Sequence, residues 1–203
     1  NINCNKPIII TDKNMVKFNI IEPLEKALTS LQIRYLVYDN TIPEPTSSSI
    51  LEGVNTIKEG DYDCIIAFGG GSPIDSAKAM SILATYGGHI SDYKFPYINN
   101  KTGLPIIAIP TTAGTGSEVT KFTIITNEDT DEKMLCVGPA FMPLAAIIDY
   151  ELTFSVPKRT TLYDLINCEI IFISVPSPMQ SDGSCYLEIV KSVLNDLKVI
   201  NYN

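Results

Sequence analysis

Two segments rich in glycine and hydroxyl residues have the composition and spacing most suited to chemistry. The first, FGGGSPIDSAK at 68–78, follows an apolar run and opens a helical pattern. Consecutive glycines let the backbone approach a ligand closely, and a helix start presents unpaired N–H groups to an anion. We therefore expect Gly70, Gly71 and Ser72 to hold a phosphate or pyrophosphate, with Ser72 as N-cap. Asp75, placed in the first helical turn, would cap the helix or bind a ribose or amide.

The second segment, PTTAGTGSEVT at 110–120, also follows an apolar run. In an open parallel sheet both segments leave the carboxyl ends of strands, where ligands bind. We therefore predict a dinucleotide crevice, with pyrophosphate on the first turn and the nicotinamide end near the second. Lys78 lies in the wrong place for a P-loop lysine, and the spacing also differs from G-x-G-x-x-G. The alternative is that the glycines serve only helix–strand packing and that the Thr/Ser segment is an ordinary loop.

Two charged residues lie outside these segments but could reach the same ligand. Asp12 ends the apolar run at 6–11 and could accept hydrogen bonds from an adenosine 2′-hydroxyl while repelling a 2′-phosphate, which favours NAD over NADP. An N-cap role for the following helix is the alternative and is compatible with it. Lys133 could reach a ribose, or be a solvated surface lysine.

The elements that must position these residues alternate between two periodicities. Apolar strand-like runs alternate with helical patterns, one of which starts with Ser49 and Glu52 at capping-box spacing. This predicts an α/β fold, a Rossmann-like parallel sheet with helices on both faces. We expect an antiparallel excursion at 121–150, and a domain boundary near 155 that separates a dinucleotide-binding domain (1–155) from an incomplete helical domain (156–203). The predicted strands are 6–11, 34–39, 63–68 and 104–110, and the first predicted helix is 14–31.

Composition narrows the classes of partner. The chain has 203 residues, 45% of them hydrophobic, and a formal charge of −8, which disfavours nucleic acid and anionic membrane surfaces. No apolar run is long enough for a membrane helix, and no signal-peptide pattern opens the chain. The five cysteines form no C-x-x-C pair, so we expect reduced cysteines in a cytoplasmic protein, with Cys64 and Cys136 in the core.

The two glycine segments, in this order, resemble the iron-containing (group III) alcohol dehydrogenase family. Further similarity lies in ITDKNMVK (10–17), IPEPT (42–46), GGHISDY (87–93) and DYELTFSVPKR (149–159). The resemblance implies a nucleotide-binding α/β domain, followed by an all-helical domain that holds Fe²⁺ or Zn²⁺. It also implies NAD(P)-linked interconversion of a small alcohol and an aldehyde or ketone. Carried over by motif position, the cofactor-binding residues are Asp12, Gly70, Gly71, Ser72, Asp75, Thr111, Thr112, Thr115, Ser117, Lys133 and Leu152.

The metal ligands that the resemblance implies are not matched. In the family, an Asp and a His lie four residues apart on the helix after the S-L-P-P-R motif. Here, those positions are Asn167 and Ile171, and isoleucine cannot bind a metal. A three-residue deletion would instead pair Asp164 with Cys168, a zinc-compatible set. The one histidine, His89, lies in a segment whose family role is structural.

Three hypotheses about function follow. The first is an NAD(P)-linked alcohol dehydrogenase domain whose turnover is impaired because metal ligands are missing. The second is a non-catalytic nucleotide-binding or interaction module derived from that family. The third keeps an active enzyme by letting Asp164 and Cys168 bind zinc, with ligands from a partner chain. Because family members commonly pair through strands of the N-terminal domain, we also expect a homodimer.

Overall fold

The structure is a computed structural model that describes residues 4–155. The predicted boundary near 155 and the helical domain at 156–203 therefore stay predictions. The candidate metal positions also lie outside the described residues: Asp164, Asn167, Cys168 and Ile171.

Seven strands and four α-helices form the described part of the chain. All strands of the main sheet are parallel, in the order β2-β1-β3-β4-β7, which confirms the predicted α/β, Rossmann-like class. The order reverses between β1 and β3, and ligands of doubly wound sheets bind at such a point. The strands are β1 (Pro7–Ile10), β2 (Leu36–Tyr38), β3 (Cys64–Gly69), β4 (Ile106–Pro110), β5 (Phe122–Asn127), β6 (Glu132–Val137) and β7 (Ala145–Ala146); the helices are α1 (Lys13–Lys17), α2 (Glu22–Ser30), α3 (Ser47–Gly60) and α4 (Gly71–Tyr86).

The sheet is covered on both faces, as its nearly continuous apolar strands require. In β1, Ile8 and Ile10 face one way, into a core shared with residues of α3 and α4. Ile9 faces the other way, into a second core that includes Leu28 of α2. All three isoleucines are fully buried. The sheet is therefore packed on both sides, and the turns at the carboxyl ends of its strands start from buried residues.

Two helix predictions need correction. The helix expected at 14–31 is divided into α1 and α2, because Asn19 adopts a left-handed conformation (φ 57°) and Pro23 lies at the start of α2. The capping box of α3 is formed by Thr46 and Ser49 rather than by Ser49 and Glu52. Thr46 has the extended conformation of an N-cap, and its hydroxyl accepts from the Ser49 N–H at 3.4 Å.

The predicted antiparallel excursion at 121–150 is right in part. Strands β5 and β6 form an antiparallel two-stranded sheet of their own. In contrast, β7 returns to the main sheet and runs parallel to β4. The β5–β6 hairpin is attached to α4 because the hydroxyl of Thr123 donates to the Asp75 carbonyl at 2.8 Å.

The cysteines depart from expectation in one respect. Cys64 and Cys136 are fully buried, as predicted, but Cys4 and Cys64 form a disulfide, whereas we expected reduced cysteines. The pairing of β1 with β3 brings the two residues together, since Pro7 lies opposite Cys64. The chain before β1 is further held there by the Asp63 carboxylate, which accepts two backbone N–H bonds at 2.8 and 2.9 Å. Within residues 4–155, no helix is both long and apolar enough to cross a membrane.

Candidate functional site

The two turns lie side by side at the carboxyl edge of the sheet. Gly69, which ends β3, is paired with Pro110, which ends β4. The first turn (Gly69–Ser72) and the second turn (Thr111–Gly116) therefore start from adjacent strands. The Thr111 N–H donates to the Gly69 carbonyl at 2.9 Å and joins the two turns at their base.

Further out, the second turn lies close to the glycines of the first. A Cβ added to Gly70 would lie 3.2 Å from Thr112 Oγ1, and one added to Gly71 would lie 3.3 Å from Thr115 Cγ2. The absence of side chains on these glycines lets the second turn close over the start of α4. The two turns are thus neighbours, as the sequence predicts, and their forming a dinucleotide crevice stays a prediction.

Helix α4 begins with donors that its own backbone cannot satisfy. Gly70 is the N-cap and makes no side-chain cap, so the prediction that Ser72 caps the helix is wrong. The N–H groups of Gly71 and Ser72 precede the first N–H that donates within the helix, that of Ile74, which donates to the Gly70 carbonyl at 3.4 Å. Pro73, between them, has no N–H. Two backbone donors at the positive end of a 16-residue helix are thus available to bind an anion.

The second turn contributes a hydroxyl that the described residues leave unsatisfied. Thr112 Oγ1 is buried, and none of residues 4–155 provides it with a hydrogen-bond partner. Buried hydroxyls normally have a partner, so this atom marks a place where a polar ligand group fits. The other predicted hydroxyls differ in environment: Thr111 donates to Met15 Sδ at 3.7 Å, and Thr115 is exposed and accepts from the Ser117 N–H at 3.4 Å.

Asp12 lies across the switch point from the first turn. Its Oδ1 accepts the Asn14 and Met15 N–H groups at 2.8 and 3.3 Å, which confirms the predicted N-cap of α1. Its Oδ2 lies 3.7 Å from where a Gly69 Cβ would be. One carboxylate oxygen is thus used in capping and the other faces the glycine turn. Contact with a ribose stays a prediction.

Asp75 does not occupy the place that the sequence suggested. Because α4 starts at Gly71, Asp75 lies beyond the first turn and caps nothing. Its carboxylate lies 3.7 Å from Lys78 Nζ and accepts a hydrogen bond from Ser117. Burial raises the pKa of Asp75 and lowers the pKa of Lys78, while the attraction between the two charges opposes both shifts. Asp75 is therefore joined to Ser117, the residue that follows the second turn.

The contacts found for Lys133 and Leu152 are with residues outside the two turns. Lys133, on β6, is largely exposed and forms an ion pair with Glu44 at 3.2 Å. Leu152 is half-buried and packs against the core on the α2 face of the sheet, beside Met15 and Ile109. Their roles beside a ribose and a nicotinamide stay predictions.

The described residues hold no metal-ligand set at this edge of the sheet. Among residues 4–155, the one group of three close ligand atoms is Cys4, Asp63 and Cys64, at the opposite ends of β1 and β3. Its sulfurs are joined as a disulfide, and the Asp63 carboxylate is taken up by backbone donors. These residues do not fit a catalytic ion. His89 is exposed, and its N–H donates to Asp92 at 2.8 Å.

Sequence comparisons give one consistent result. The family model described as iron-containing alcohol dehydrogenase matches residues 1–150. Alcohol dehydrogenase 4 of Saccharomyces cerevisiae is 34% identical over 201 residues, which cover 97% of this chain and 52% of the yeast protein. Lactaldehyde reductase of Escherichia coli is 34% identical over 154 residues, 75% of this chain and 40% of that protein. The chain thus spans about half the length of the curated relatives it matches.

Solved structures with the same fold include two oxidoreductases. A 1,3-propanediol oxidoreductase superposes with a TM-score of 0.74 at 29% identity, over 79% of this chain and 42% of that one. Sulfoacetaldehyde reductase from Bifidobacterium kashiwanohense, solved in complex with NAD+, gives a TM-score of 0.73 at 31% identity, over 79% and 43%.

Proposed function

Because this chain belongs to the iron-containing alcohol dehydrogenase family, we propose that it binds NAD between its two turns. The activity that we propose for the whole protein is the NAD-linked interconversion of a small alcohol and an aldehyde or ketone. One observation carries the proposal. The buried, unpartnered hydroxyl of Thr112 lies against Gly70, at the N-terminus of α4, where two backbone donors are also free of intrahelical partners.

Each part of the crevice suits one part of a dinucleotide. The N–H groups of Gly71 and Ser72 donate to the pyrophosphate, whose charge the dipole of α4 favours. The free oxygen of Asp12 accepts from the adenosine ribose and repels a 2′-phosphate, so NAD is preferred to NADP. The hydroxyls of the second turn, Thr112 above all, bind toward the nicotinamide end, with Lys133 and Leu152 beside the ribose and nicotinamide.

The chemistry divides between cofactor and protein. Bound NAD would accept or supply the hydride at the carbinol or carbonyl carbon of the substrate. The described residues bind and orient the dinucleotide, and the second turn covers the first on one side. The family implies Fe²⁺ or Zn²⁺ as a further cofactor, but none of residues 4–155 forms a ligand set near the turns.

A second candidate is nucleotide binding without turnover. Asn167 and Ile171 occupy the positions at which the family resemblance places two metal ligands, and an isoleucine side chain has no donor atom. Asp164 and Cys168, together with ligands from a partner chain, would instead bind zinc and keep the enzyme active. These options differ in metal content, which makes them separable.

Calorimetric titration of the 203-residue chain tests the proposal. We expect one NADH bound per chain, with NADPH weaker. An absence of saturable NADH binding would refute the proposed function. NADH-dependent reduction of short aldehydes is then measured with and without Fe²⁺ or Zn²⁺. Turnover that requires metal supports the dehydrogenase, binding without turnover supports the second candidate, and stoichiometric zinc in the purified protein supports the Asp164–Cys168 pair.

We also propose a second copy of this chain as partner. The cytoplasmic location, which was expected from reduced cysteines, stays a prediction that the Cys4–Cys64 disulfide does not support. Within the described sheet, β2 is an outer strand that pairs with β1 alone, and Leu36 on it is 39% exposed. An unpaired strand edge is a template for strand pairing between subunits. The net charge of −8 remains an argument against nucleic-acid and membrane partners. Light scattering of the purified chain tests the homodimer, and a monomer would contradict it.

A further inference from the structure

We propose that Lys78 is a positioning residue that holds the second turn against α4 and so sets the geometry of the nucleotide crevice. Its effect on NAD rests on the proposed function. Lys78 lies on α4 and its side chain is fully buried. Lysine is almost never fully buried unless it is paired, so a lysine in this position needs a specific set of partners.

The ammonium group has a complete set of acceptors. Its Nζ donates to the Phe122 carbonyl at 2.7 Å, the Thr120 carbonyl at 3.0 Å and Thr120 Oγ1 at 3.2 Å. An ammonium group has three N–H bonds, and three oxygens receive them. The Asp75 carboxylate, 3.7 Å away, balances the charge. All three hydrogen-bond acceptors belong to the chain that leaves the second turn and enters β5.

The second turn is therefore fixed at both ends. Its first end is fixed by the bond from Thr111 to Gly69. Between the ends, Gly114 and Gly116 have φ values of 105° and 66°, and the segment around Thr115 is exposed. Apart from its approach to Gly70 and Gly71, such a segment depends on its ends for position. If the Lys78 bonds were lost, the turn would be free to lift from Gly70 and Gly71.

The alternative is that Lys78 contributes only to stability. The same helix offers a matched control in Ser81, which is also buried and donates to the Leu104 carbonyl at 2.7 Å, just before β4 rather than at the turn. Ser81→Ala removes a buried hydrogen bond from the same helix without touching the second turn. A difference between Lys78 and Ser81 variants therefore separates positioning from general destabilisation.

The experiment compares Lys78→Met, Thr120→Val and Ser81→Ala in the full chain. One readout is amide hydrogen exchange at Ser117 and Val119, which follow the second turn and donate to its Thr115 Oγ1 and Gly116 carbonyl at 3.4 and 3.1 Å. The other is NADH affinity by calorimetry. We expect Lys78→Met to raise exchange at both amides and to weaken NADH binding, each by about tenfold or more. Thr120→Val, which removes one of the three acceptors, should raise exchange about threefold.

Several outcomes would overturn the proposal. If amide exchange at Ser117 and Val119 is unchanged in Thr120→Val, the proposal is overturned, even if Lys78→Met does not fold. Equal losses of NADH affinity in Ser81→Ala and Lys78→Met would show that stability alone is responsible. If the wild-type chain does not bind NADH, the proposed function fails, but the exchange rates still decide whether Lys78 fixes the turn.

Discussion

A carboxylate placed at Ser72 tests the anion site with little change in shape. Ser72 is the second residue of α4 and is half-buried beside the free N–H groups. An acidic side chain at this position is favourable for the helix, because it interacts with the positive end of the dipole. The same charge would repel a pyrophosphate held by those N–H groups. Ser72→Asp should therefore change stability and affinity in opposite directions.

The expected magnitudes follow from the location of the site. At about 5 Å and an effective dielectric of about 20, two unit charges interact by about 3 kcal/mol. Screening by solvent and salt at a half-buried position leaves roughly half of this, about 1.5 kcal/mol, or a tenfold loss of NADH affinity. The helix gains about 0.3–1 kcal/mol from the added carboxylate. The free energy of unfolding should thus rise slightly while binding weakens about tenfold.

Two measurements and one control complete this test. Urea denaturation gives the free energy of unfolding, and calorimetry at two salt concentrations gives the NADH affinity. Ser72→Asn is the control, because it has nearly the same shape as the aspartate variant but no charge. The reasoning is refuted if Ser72→Asp and Ser72→Asn bind NADH equally well. An affinity gap that does not shrink at high salt would also contradict a charge effect.

Three further predictions concern Asp12, Cys136 and the disulfide. Asp12→Ala should cost about 1 kcal/mol of unfolding free energy through the lost N-cap of α1 and should shift the preference from NADH toward NADPH; an unchanged ratio of the two affinities would remove Asp12 from the ribose site. Burial raises the pKa of Cys136 from 9.0 to about 12, so above pH 9 the unfolded thiol ionises while the folded one does not. The free energy of unfolding should then fall by about 1.4 kcal/mol per pH unit between pH 9 and 12, and equal slopes for wild type and Cys136→Ala would contradict this. The Cys4–Cys64 disulfide spans 60 residues, so its reduction should cost up to about 4 kcal/mol on the chain-entropy model. Cys4→Ser, which cannot form the disulfide, is the control, and dithiothreitol should leave its free energy of unfolding unchanged. If dithiothreitol also leaves that of the wild type unchanged, the pairing is refuted.

The strands of the main sheet could be predicted because a parallel sheet covered on both faces needs continuous apolar runs. For the apolar run around Ile66 in β3, the sequence predicts a buried strand more strongly than any other secondary structure. In contrast, β7 has two residues, and its place in the sheet depends on backbone bonds with β4, from the Leu144 N–H to the Ile106 carbonyl and from the Ile147 N–H to the Ala108 carbonyl, both at 2.8 Å. Because this strand depends on bonds to its neighbour, its own residues do not predict it.

The adjacency of the two segments of the candidate site could be predicted from the sequence, but the contacts of their side chains could not. The glycine and Thr/Ser turns were identified because few other segments follow strands with so many donors. The role of Asp75 was missed because the D-x-x-K spacing of Asp75 and Lys78 looks like an ordinary exposed helical pair. The pair is instead covered by the β5–β6 hairpin, in which Thr123 donates to the Asp75 carbonyl. Thr123 and Asp75 are 48 positions apart, so the spacing within the helix does not reveal this contact.

The glycines themselves cannot reveal what the first turn binds. Gly69 is required by the fold, since its φ is 142° and an added Cβ would lie 2.8 Å from Pro73 Cγ. A larger residue at Gly71 would push against Thr115 and lift the second turn, whether or not the glycine contacts phosphate. Weak NADH binding by a Gly71→Val variant would therefore be the same for a phosphate cradle and for a packing site. The charge at Ser72 distinguishes them, because repulsion between anions requires an anion to be there.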